Sequence, residues 1–241
     1  MDILFGNYPY KRNVDLLKSK NREAKITGLL DLLSVHHANT FIHTCEVAYI
    51  ATLLDPSVEV FELAMVHDIG KTGISEDLLM KNNINDKEKK IIGLHGALGE
   101  VILKRVGLGD IAYASVEHHI GNSKSRIWTE KELSRRHALI EIISMADIIC
   151  AALDPRRPYH TPDDKSALLE YIEKKVEKGV FSTDLFRRFQ ENVLNQGLFP
   201  PFKLADYAND SFFITQIKNY GLFNNFQDQV SGDETARSDV K

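Results

Sequence analysis

The stretch Met65-Val66-His67-Asp68-Ile69-Gly70-Lys71 places two metal-ligand side chains next to each other at the end of an apolar run. An aspartate offers two hard oxygens that can bridge two cations, and a histidine offers one neutral imidazole nitrogen. A His-Asp pair also occurs by chance in many soluble proteins. It therefore indicates a metal site only if the rest of the chain supplies further ligands.

The composition is typical of a folded protein that lacks the net positive charge needed to bind nucleic acid or an anionic membrane. With 43% hydrophobic and 27% charged residues over 241 positions, the chain can form one large domain with a real core. A net charge of −4 provides no positive field that would hold a polyanion, so any phosphate must be bound locally. We expect neither bulk nucleic-acid binding nor membrane association.

The cysteines and the first residues indicate the compartment. Cys45 and Cys150 lie far apart and neither belongs to a Cys-x-x-Cys pair, so we interpret them as buried thiols in a reducing environment. No basic segment followed by an apolar one occurs near Met1, and no window approaches the roughly 18 apolar residues of a membrane span. We expect a cytoplasmic protein.

Apolar periodicity predicts helices along most of the chain and almost no strand, so the predicted class is all-α, a bundle of about seven to nine helices. The predicted helices cover residues 14–35 with an interruption near 19–21, 40–54, 57–68, 75–79, 86–107, 110–119, 129–153 and 183–195, and another begins at residue 161. Gly70 is predicted to end the third of these in a left-handed conformation. From Gln227 onward the chain is polar and acidic, which predicts a disordered tail.

Histidine or aspartate interrupts an apolar helical stretch in five separate segments. The residues concerned are His43, His67, Asp68, His95, His118 and Asp147. Any one of these histidines is more often a satisfied core residue than a ligand, but Asp147, with apolar neighbours on both sides, needs a partner if it is buried. Together these residues supply enough nitrogen and oxygen for two octahedral cations, and the lack of thiolates favours Fe, Mn or Mg over structural Zn.

In this order the residues resemble the HD-domain metal-dependent phosphohydrolases, and most closely their HD-GYP branch, over about residues 40–159. The resemblance rests on His43, His67-Asp68-Ile69-Gly70-Lys71, His95 with Gly99, His118-His119, Asp147, Ala151-Ala152-Leu153 and Arg157-Pro158-Tyr159. It implies an HD-type helical domain with the metal site in its core. We place that domain at residues 36–200, after an N-terminal helical segment at 1–35 and before a C-terminal extension at 201–241.

The resemblance also implies roles for the residues of the site. One metal would be held by His43, His67, Asp68 and Asp147, and the second by Asp68, His95 and His118. Asp68 would bridge the two metals, and Lys71 would assist catalysis by reaching a phosphate oxygen or a bound water. We expect the two divalent metals to be Fe or Mn ahead of Mg, Ni or Zn.

Substrate binding is predicted for Lys71, His119 and Arg157. His119 follows His118 directly, and two successive residues of a helix point about 100° apart. His119 is therefore predicted to face substrate rather than the metal that His118 binds. Arg157 belongs to a rim loop, where its guanidinium would contact a phosphate or a nucleotide.

Three departures from the branch bear on the substrate. The Gly-Tyr-Pro motif that names the branch is missing after His118-His119, where the chain reads Ile120-Gly121-Asn122-Ser123-Lys124. Ile120 stands where the branch has a glutamate, and Asn39 stands where some members have a glutamate that holds a third metal. We therefore expect two metals rather than three, and the missing motif weakens the case for cyclic di-GMP.

The expected function is a two-metal phosphodiesterase that hydrolyses a nucleotide or a cyclic dinucleotide by attack of a metal-bridging water. Its partner would be a small phosphorylated nucleotide, and a homo-oligomer is compatible with the sequence. Three alternatives stay open. They are a nucleoside phosphate hydrolase of the wider superfamily, a diiron oxygenase that uses the same ligands, and a nucleotide-binding signalling module without turnover.

Overall fold

The computed structural model describes residues 10–119, 130–156 and 165–238. The α-helices are α1 (Tyr10–Leu17), α2 (Arg22–His36), α3 (Ala38–Leu54), α4 (Val58–Val66), α5 (Glu76–Leu79), α6 (Asp86–Ile92), α7 (His95–Val106), α8 (Tyr113–Glu117), α9 (Glu130–Leu153), α10 (Lys165–Glu177), α11 (Thr183–Phe189), α12 (Leu204–Ala208), α13 (Ser211–Asn219) and α14 (Phe223–Ser238). A 3-10 helix, Ile69–Gly73, follows α4, and a π-helix, Gln190–Leu194, follows α11.

The all-α class is confirmed, since these three ranges contain no strand. The chain is divided into more helices than the seven to nine predicted, because the helix predicted over 86–107 is split and because α12, α13 and α14 lie after residue 200, where no helix was predicted. Within the same ranges, none of the helices combines the length and the apolar character needed to cross a bilayer.

Helix α3 lies at the centre of the fold. Almost all of its residues are buried, and it packs against α2, α4 and α9. A helix that is apolar on every side is stable only inside a protein, which explains its central position. Its buried polar side chains need partners there. Thr44 donates to the carbonyl of Thr40 (2.8 Å), and His43 Nε2 lies 3.0 Å from Asp147 Oδ1 on α9.

Helix α4 delivers the His67-Asp68 pair into this core. Ser57 caps the helix by accepting a hydrogen bond from the N–H of Val60 (3.3 Å), and the helix is buried from Val60 to Val66. The 3-10 helix that follows packs against α7. The pair therefore lies at a buried junction between two helices, where its backbone cannot shift independently.

The prediction of a left-handed Gly70 is wrong. Gly70 belongs to the 3-10 helix and is not among the glycines with positive φ, which include Gly107 at 82°. The requirement at Gly70 is space, because a Cβ there would overlap the carbonyl oxygen of His95 and lie 2.5 Å from the nitrogen of Gly99. Glycine lets the backbone of the 3-10 helix touch the backbone of α7.

The single helix predicted over residues 86–107 is broken into α6 and α7. Helix α6 ends at Ile92, a turn follows, and α7 begins at His95. Gly93 lies in this turn and has a low helix propensity. His95 therefore stands at the start of a helix, whereas the unbroken pattern placed it in the middle of one. The predicted stop at Gly107 is confirmed, since this residue ends α7 in the left-handed conformation.

The C-terminal region is helical as far as the structure describes it. The disordered tail predicted from Gln227 is therefore wrong for residues 227–238, while residues 239–241 lie outside the described ranges. Helix α14 buries Phe226 and Val230 against the core. These two residues recur at helical spacing, a signal that the polar composition around them hid.

Other helix predictions are confirmed in part. The interruption near residues 19–21 is confirmed, and Asn21 caps α2 by accepting from the N–H of Ala24 (3.0 Å). The helix predicted over 110–119 is shorter, Tyr113–Glu117, and that over 129–153 is confirmed from Glu130 onward. The helix start predicted at residue 161 lies outside the described residues. The division of the chain into three parts stays a prediction.

We expect Gly70→Ala to destabilise the protein, because the new methyl group would overlap backbone atoms of α7 that cannot rotate away. Overpacking of this kind costs about 1–3 kcal/mol and occasionally more. The free energy of unfolding, measured by urea denaturation with circular dichroism, should fall by at least about 2 kcal/mol.

Gly232→Ala is the matched control, since a Cβ at this exposed position of α14 meets nothing within 4 Å. Alanine has the higher helix propensity, so this variant should be neutral or more stable by up to about 1 kcal/mol. Equal free energies of unfolding for the two variants would contradict the close backbone approach at Gly70.

Candidate metal centre

The six predicted ligands come together from five segments of the fold. His43 lies on α3, the His67-Asp68 pair follows α4, His95 begins α7, His118 follows α8 and Asp147 lies on α9. All six are buried, with at most 8% of any residue exposed. The structure thus places every member of the predicted set at one site.

Ser115 fixes the backbone beside the His67-Asp68 pair. Its buried hydroxyl lies 3.0 Å from the carbonyl oxygen of Val66 and 2.9 Å from that of His67, and donates to this pair of acceptors. A Cβ at Gly99 would overlap the Ser115 hydroxyl oxygen. Glycine four residues after His95 therefore leaves room for the serine that holds the pair in place.

Three imidazoles of the site are oriented by backbone carbonyls close to them in sequence. The Nδ1 atoms of His67, His95 and His118 lie 2.7, 2.7 and 2.9 Å from the carbonyl oxygens of Ala64, Ile92 and Ala114. A carbonyl oxygen can only accept a hydrogen bond, so in each ring Nδ1 carries a proton, and the neutral ring presents the lone pair of Nε2. This is the tautomer that a metal ligand requires.

The Nε2 lone pairs face one another inside the protein. Nε2 of His95 lies 3.3 Å from Nε2 of His118, and two lone pairs at this distance repel unless a cation lies between them. A shared proton is disfavoured, because burial lowers the pKa of both rings, and that of His118 well below its usual range with the help of His119 and His67. Nε2 of His67 is buried and has no hydrogen-bond partner among the described residues. These donors fit a metal ion.

The two carboxylates are held in the ionised form. Burial by itself would raise the pKa of Asp68, but Lys71 and His67 lower it well below its usual value. Lys71 Nζ lies 2.6 Å from Asp68 Oδ2. Burial likewise opposes ionisation of Asp147, but the hydrogen bond from His43 and the neighbouring imidazoles together lower that pKa well below its usual value. Both oxygen donors are therefore anionic at neutral pH.

The donor atoms form two groups with Asp68 between them. The atoms within 4.8 Å of one another belong to His43, His67 and Asp147 in one group and to His95, His118 and His119 in the other. Asp68 Oδ2 lies 3.4 Å from His67 Nε2, and Asp68 Oδ1 lies 3.5 Å from His95 Nε2. One carboxylate thus faces both groups, which is the position that a bridging ligand needs.

His119 lies beside the candidate metal ligands, in contrast to the expectation from helical spacing. Helix α8 ends at Glu117, and His118 is its C-cap in the right-handed helical conformation. The ring centroids of His118 and His119 lie 4.0 Å apart, and Nε2 of His119 lies 3.2 Å from Nε2 of His95. His119 is therefore a further candidate ligand, and its half-exposed ring also lines the cavity where substrate would bind.

A third group of donors, which the sequence analysis missed, lies behind His43. It contains His43, Glu46 and Asp154, and Arg156 stands beside its two carboxylates. The guanidinium of Arg156 donates to Glu46 and to Asp154, with 2.6 Å between Nε and Asp154 Oδ1. An arginine is thus the cation of this group. The available signal was Glu46, a charged residue one turn after His43 on an otherwise apolar helix.

An open cavity of about 160 Å³ leads to the donors. His43, Asp68, His95 and Asp147 line its floor, and Lys71, His119 and Arg156 line its sides. A further part of the wall consists of His37, Asn39, Leu79, Met80 and Ile92. Of the three residues predicted to contact substrate, Lys71 and His119 line this cavity. The third, Arg157, lies outside the described residues.

Residues 40–152 match the family model for the HD domain. The matched span includes all six predicted ligands, Lys71 and the paired histidines. Proteins with this domain are typically metal-dependent hydrolases, which agrees with the donor set found in the core. A search of the curated proteins found no match to this chain.

We expect His118→Ala to reduce metal binding, because it removes one of the buried Nε2 donors. Even the loss of an outer partner of a ligand costs about 10–100-fold in metal affinity, so the loss of the ligand should cost at least as much. The measurement is metal content by mass spectrometry after loading with Mn²⁺ or Fe²⁺ and gel filtration.

The control is His137→Ala, since the His137 side chain is 52% exposed on α9 and contacts Glu141 rather than the cavity. This variant should retain the metal content of the unchanged protein. If both variants bind as much metal as the unchanged protein, His118 is not a ligand.

Proposed function

We propose that the protein is a two-metal phosphodiesterase that hydrolyses a nucleotide or a cyclic dinucleotide. The observation that carries this proposal is the convergence of three carbonyl-anchored imidazoles and two ionised carboxylates, of which His95, Asp68 and Asp147 line an open cavity. Imidazole nitrogens and anionic oxygens without thiolate suit divalent Fe or Mn. The choice of Fe or Mn and the number of two ions are part of the proposal.

His43, His67 and Asp147 would hold one metal and His95 and His118 the other, with Asp68 shared between them. Two divalent cations held there would supply the positive charge that attracts a phosphate, lowers the pKa of water toward neutrality and stabilises the negative charge that develops on the phosphate. The chain's own contribution is to fix the donors, since carbonyls and Ser115 restrain the imidazoles and the backbone around them. Fixed donors need no reorganisation at the moment of reaction.

Among the residues that the structure describes, Lys71 is the lysine that pairs with the Asp68 carboxylate. Its side chain is 15% exposed, lines the cavity and donates to Asp68. An ammonium has three N–H donors, so Lys71 can keep this contact and still donate to an oxygen of a phosphate in the cavity. We assign it the role of binding and orienting that phosphate, with His119 and Arg157 as further substrate contacts.

Similarity to the HD-GYP branch is part of this proposal. It is supported by the order of the candidate ligands along the chain, from His43 to Asp147. The missing Gly-Tyr-Pro motif leaves the choice among nucleotide substrates to experiment. A nucleoside phosphate hydrolase would use the same floor of the cavity with a substrate that has a terminal phosphate. The cytoplasmic location and a homo-oligomer stay predictions from the sequence.

We expect the protein to hydrolyse bis(p-nitrophenyl) phosphate with Mn²⁺ and Asp68→Asn to lower kcat/KM at least about 100-fold, because the amide replaces the shared anionic ligand. The measurement is release of p-nitrophenolate, followed by a panel of linear and cyclic nucleotides. Asp77→Asn is the matched control, since Asp77 is an exposed residue of α5, and it should keep full activity.

A signalling module without turnover would bind nucleotides yet leave every compound of the panel intact. That result, or full activity in Asp68→Asn, would contradict the proposed function.

A further inference from the structure

A second polar group lines the cavity apart from the metal ligands. His37 caps the start of α3, is 8% exposed, and lies on the cavity wall with Asn39 and Met80. No role for His37 follows from its place in the sequence. Its surroundings in the structure suggest one.

The cap determines which nitrogen of His37 carries the proton. Nδ1 lies 2.5 Å from the Thr40 hydroxyl oxygen and 3.2 Å from the Thr40 backbone nitrogen. A backbone N–H can only donate and a hydroxyl can donate as well, so both contacts are met with Nδ1 as the acceptor. The neutral ring therefore has its proton on Nε2. Burial, and then the ammonium of Lys71, lower the pKa of His37, which keeps the ring neutral. His37 thus offers one N–H donor to the cavity.

The N–H groups of His37 and Asn39 both point to a weak hydrogen-bond acceptor, the sulfur of Met80. His37 Nε2 lies 3.2 Å from Met80 Sδ, and the Asn39 amide nitrogen lies 3.9 Å from the same sulfur. A thioether sulfur accepts hydrogen bonds poorly. A buried N–H without a good acceptor costs free energy that a carbonyl oxygen or a ring nitrogen of a ligand would restore.

Met80 can leave this position with little loss of packing. It follows the short helix α5, is 45% exposed, and has a flexible unbranched side chain. Every described residue of the neighbouring helix α6 keeps contact with solvent, so this wall is not held by core packing. The cavity of about 160 Å³ is smaller than the roughly 300–1,000 Å³ of typical ligand pockets, and an organic ligand needs this wall to move.

We propose that His37 and Asn39 form a recognition subsite for a planar, acceptor-bearing heterocycle attached to the phosphate, and that Met80 moves off their N–H groups when it binds. Leu79, Met80 and Ile92 provide an apolar wall for the flat face of the ring, while the two neutral donors bind acceptors on its edge. A nucleobase has both features, whereas a sugar phosphate has acceptors without a flat apolar face. The inference rests on the proposed function in that the metal centre holds the phosphate.

The test compares nucleoside monophosphates with ribose 5-phosphate, which has the same sugar and phosphate without the base. Dissociation constants are measured by titration calorimetry in buffer with Mn²⁺ for AMP, GMP, CMP, UMP and ribose 5-phosphate. At least one nucleotide should bind about tenfold tighter than ribose 5-phosphate or better, which corresponds to about 1.4 kcal/mol.

Two variants connect this preference to the subsite. His37→Asn keeps a side-chain oxygen that accepts from the N–H of Thr40, so α3 remains capped, but its shorter amide does not reach the position of Met80. Asn39→Leu removes the second donor at similar volume. In both variants the preference for the nucleotide should fall about fivefold or more, whereas Asn82→Leu, in an exposed loop, should keep the original preference.

The binding preference is measured independently of hydrolysis, so the two proposals can fail separately. Base-selective binding without hydrolysis of bis(p-nitrophenyl) phosphate contradicts the proposed function and supports the subsite. Equal binding of nucleotides and ribose 5-phosphate, no binding of either, or an unchanged preference in both variants overturns the subsite, whatever the hydrolysis assay shows.

Discussion

Hydrogen bonds from imidazole Nδ1 atoms to backbone carbonyls at helix ends are the contacts on which the candidate metal centre depends. Helices α4, α6 and α8 end at Val66, Ile92 and Glu117, and the last carbonyls of a helix have no partner within it. In each case a histidine at or just beyond the end uses one of these carbonyls. The same helix ends have a partial negative charge that favours cations. Helix termination thus sets the tautomer, the direction and part of the electrostatics of each ligand.

Those helix ends meet because backbones pack without side chains between them. Gly70 lets the 3-10 helix reach the start of α7, and Gly99 leaves space for Ser115, which in turn binds the carbonyls that flank the His67-Asp68 pair. The site is therefore rigid around the candidate metal ligands. By contrast, the wall with Met80 and α6 has little buried surface, which suits a region that must admit substrate.

Much of the ligand set could be predicted, because each ligand is a polar residue in an apolar helical stretch and because the ordered set resembles a known family. The end of α6 could not be placed, since Gly93 weakens a helix without forbidding it, and the apolar pattern continues across the break. The position of the His119 ring could not be predicted, because a rotation of about 100° per residue gives the direction of the Cα–Cβ bond and leaves the side-chain rotamer open. Gly70 was assigned to a helix cap because a close backbone contact between two segments leaves no local signal. The pairing of Arg156 with Glu46 joins positions far apart in the chain, and only the fold brings them together.

The central claim is that Asp68 lies between two metal positions defined by the Nε2 atoms of carbonyl-anchored histidines. The most direct measurement is anomalous diffraction at the manganese absorption edge from crystals of the Mn²⁺-loaded protein. The structure predicts two peaks on either side of the Asp68 carboxylate, within bonding distance of Nε2 of His67 and of Nε2 of His95. A crystal without anomalous peaks at these atoms, or with manganese only at Glu46 and Asp154, would contradict this account.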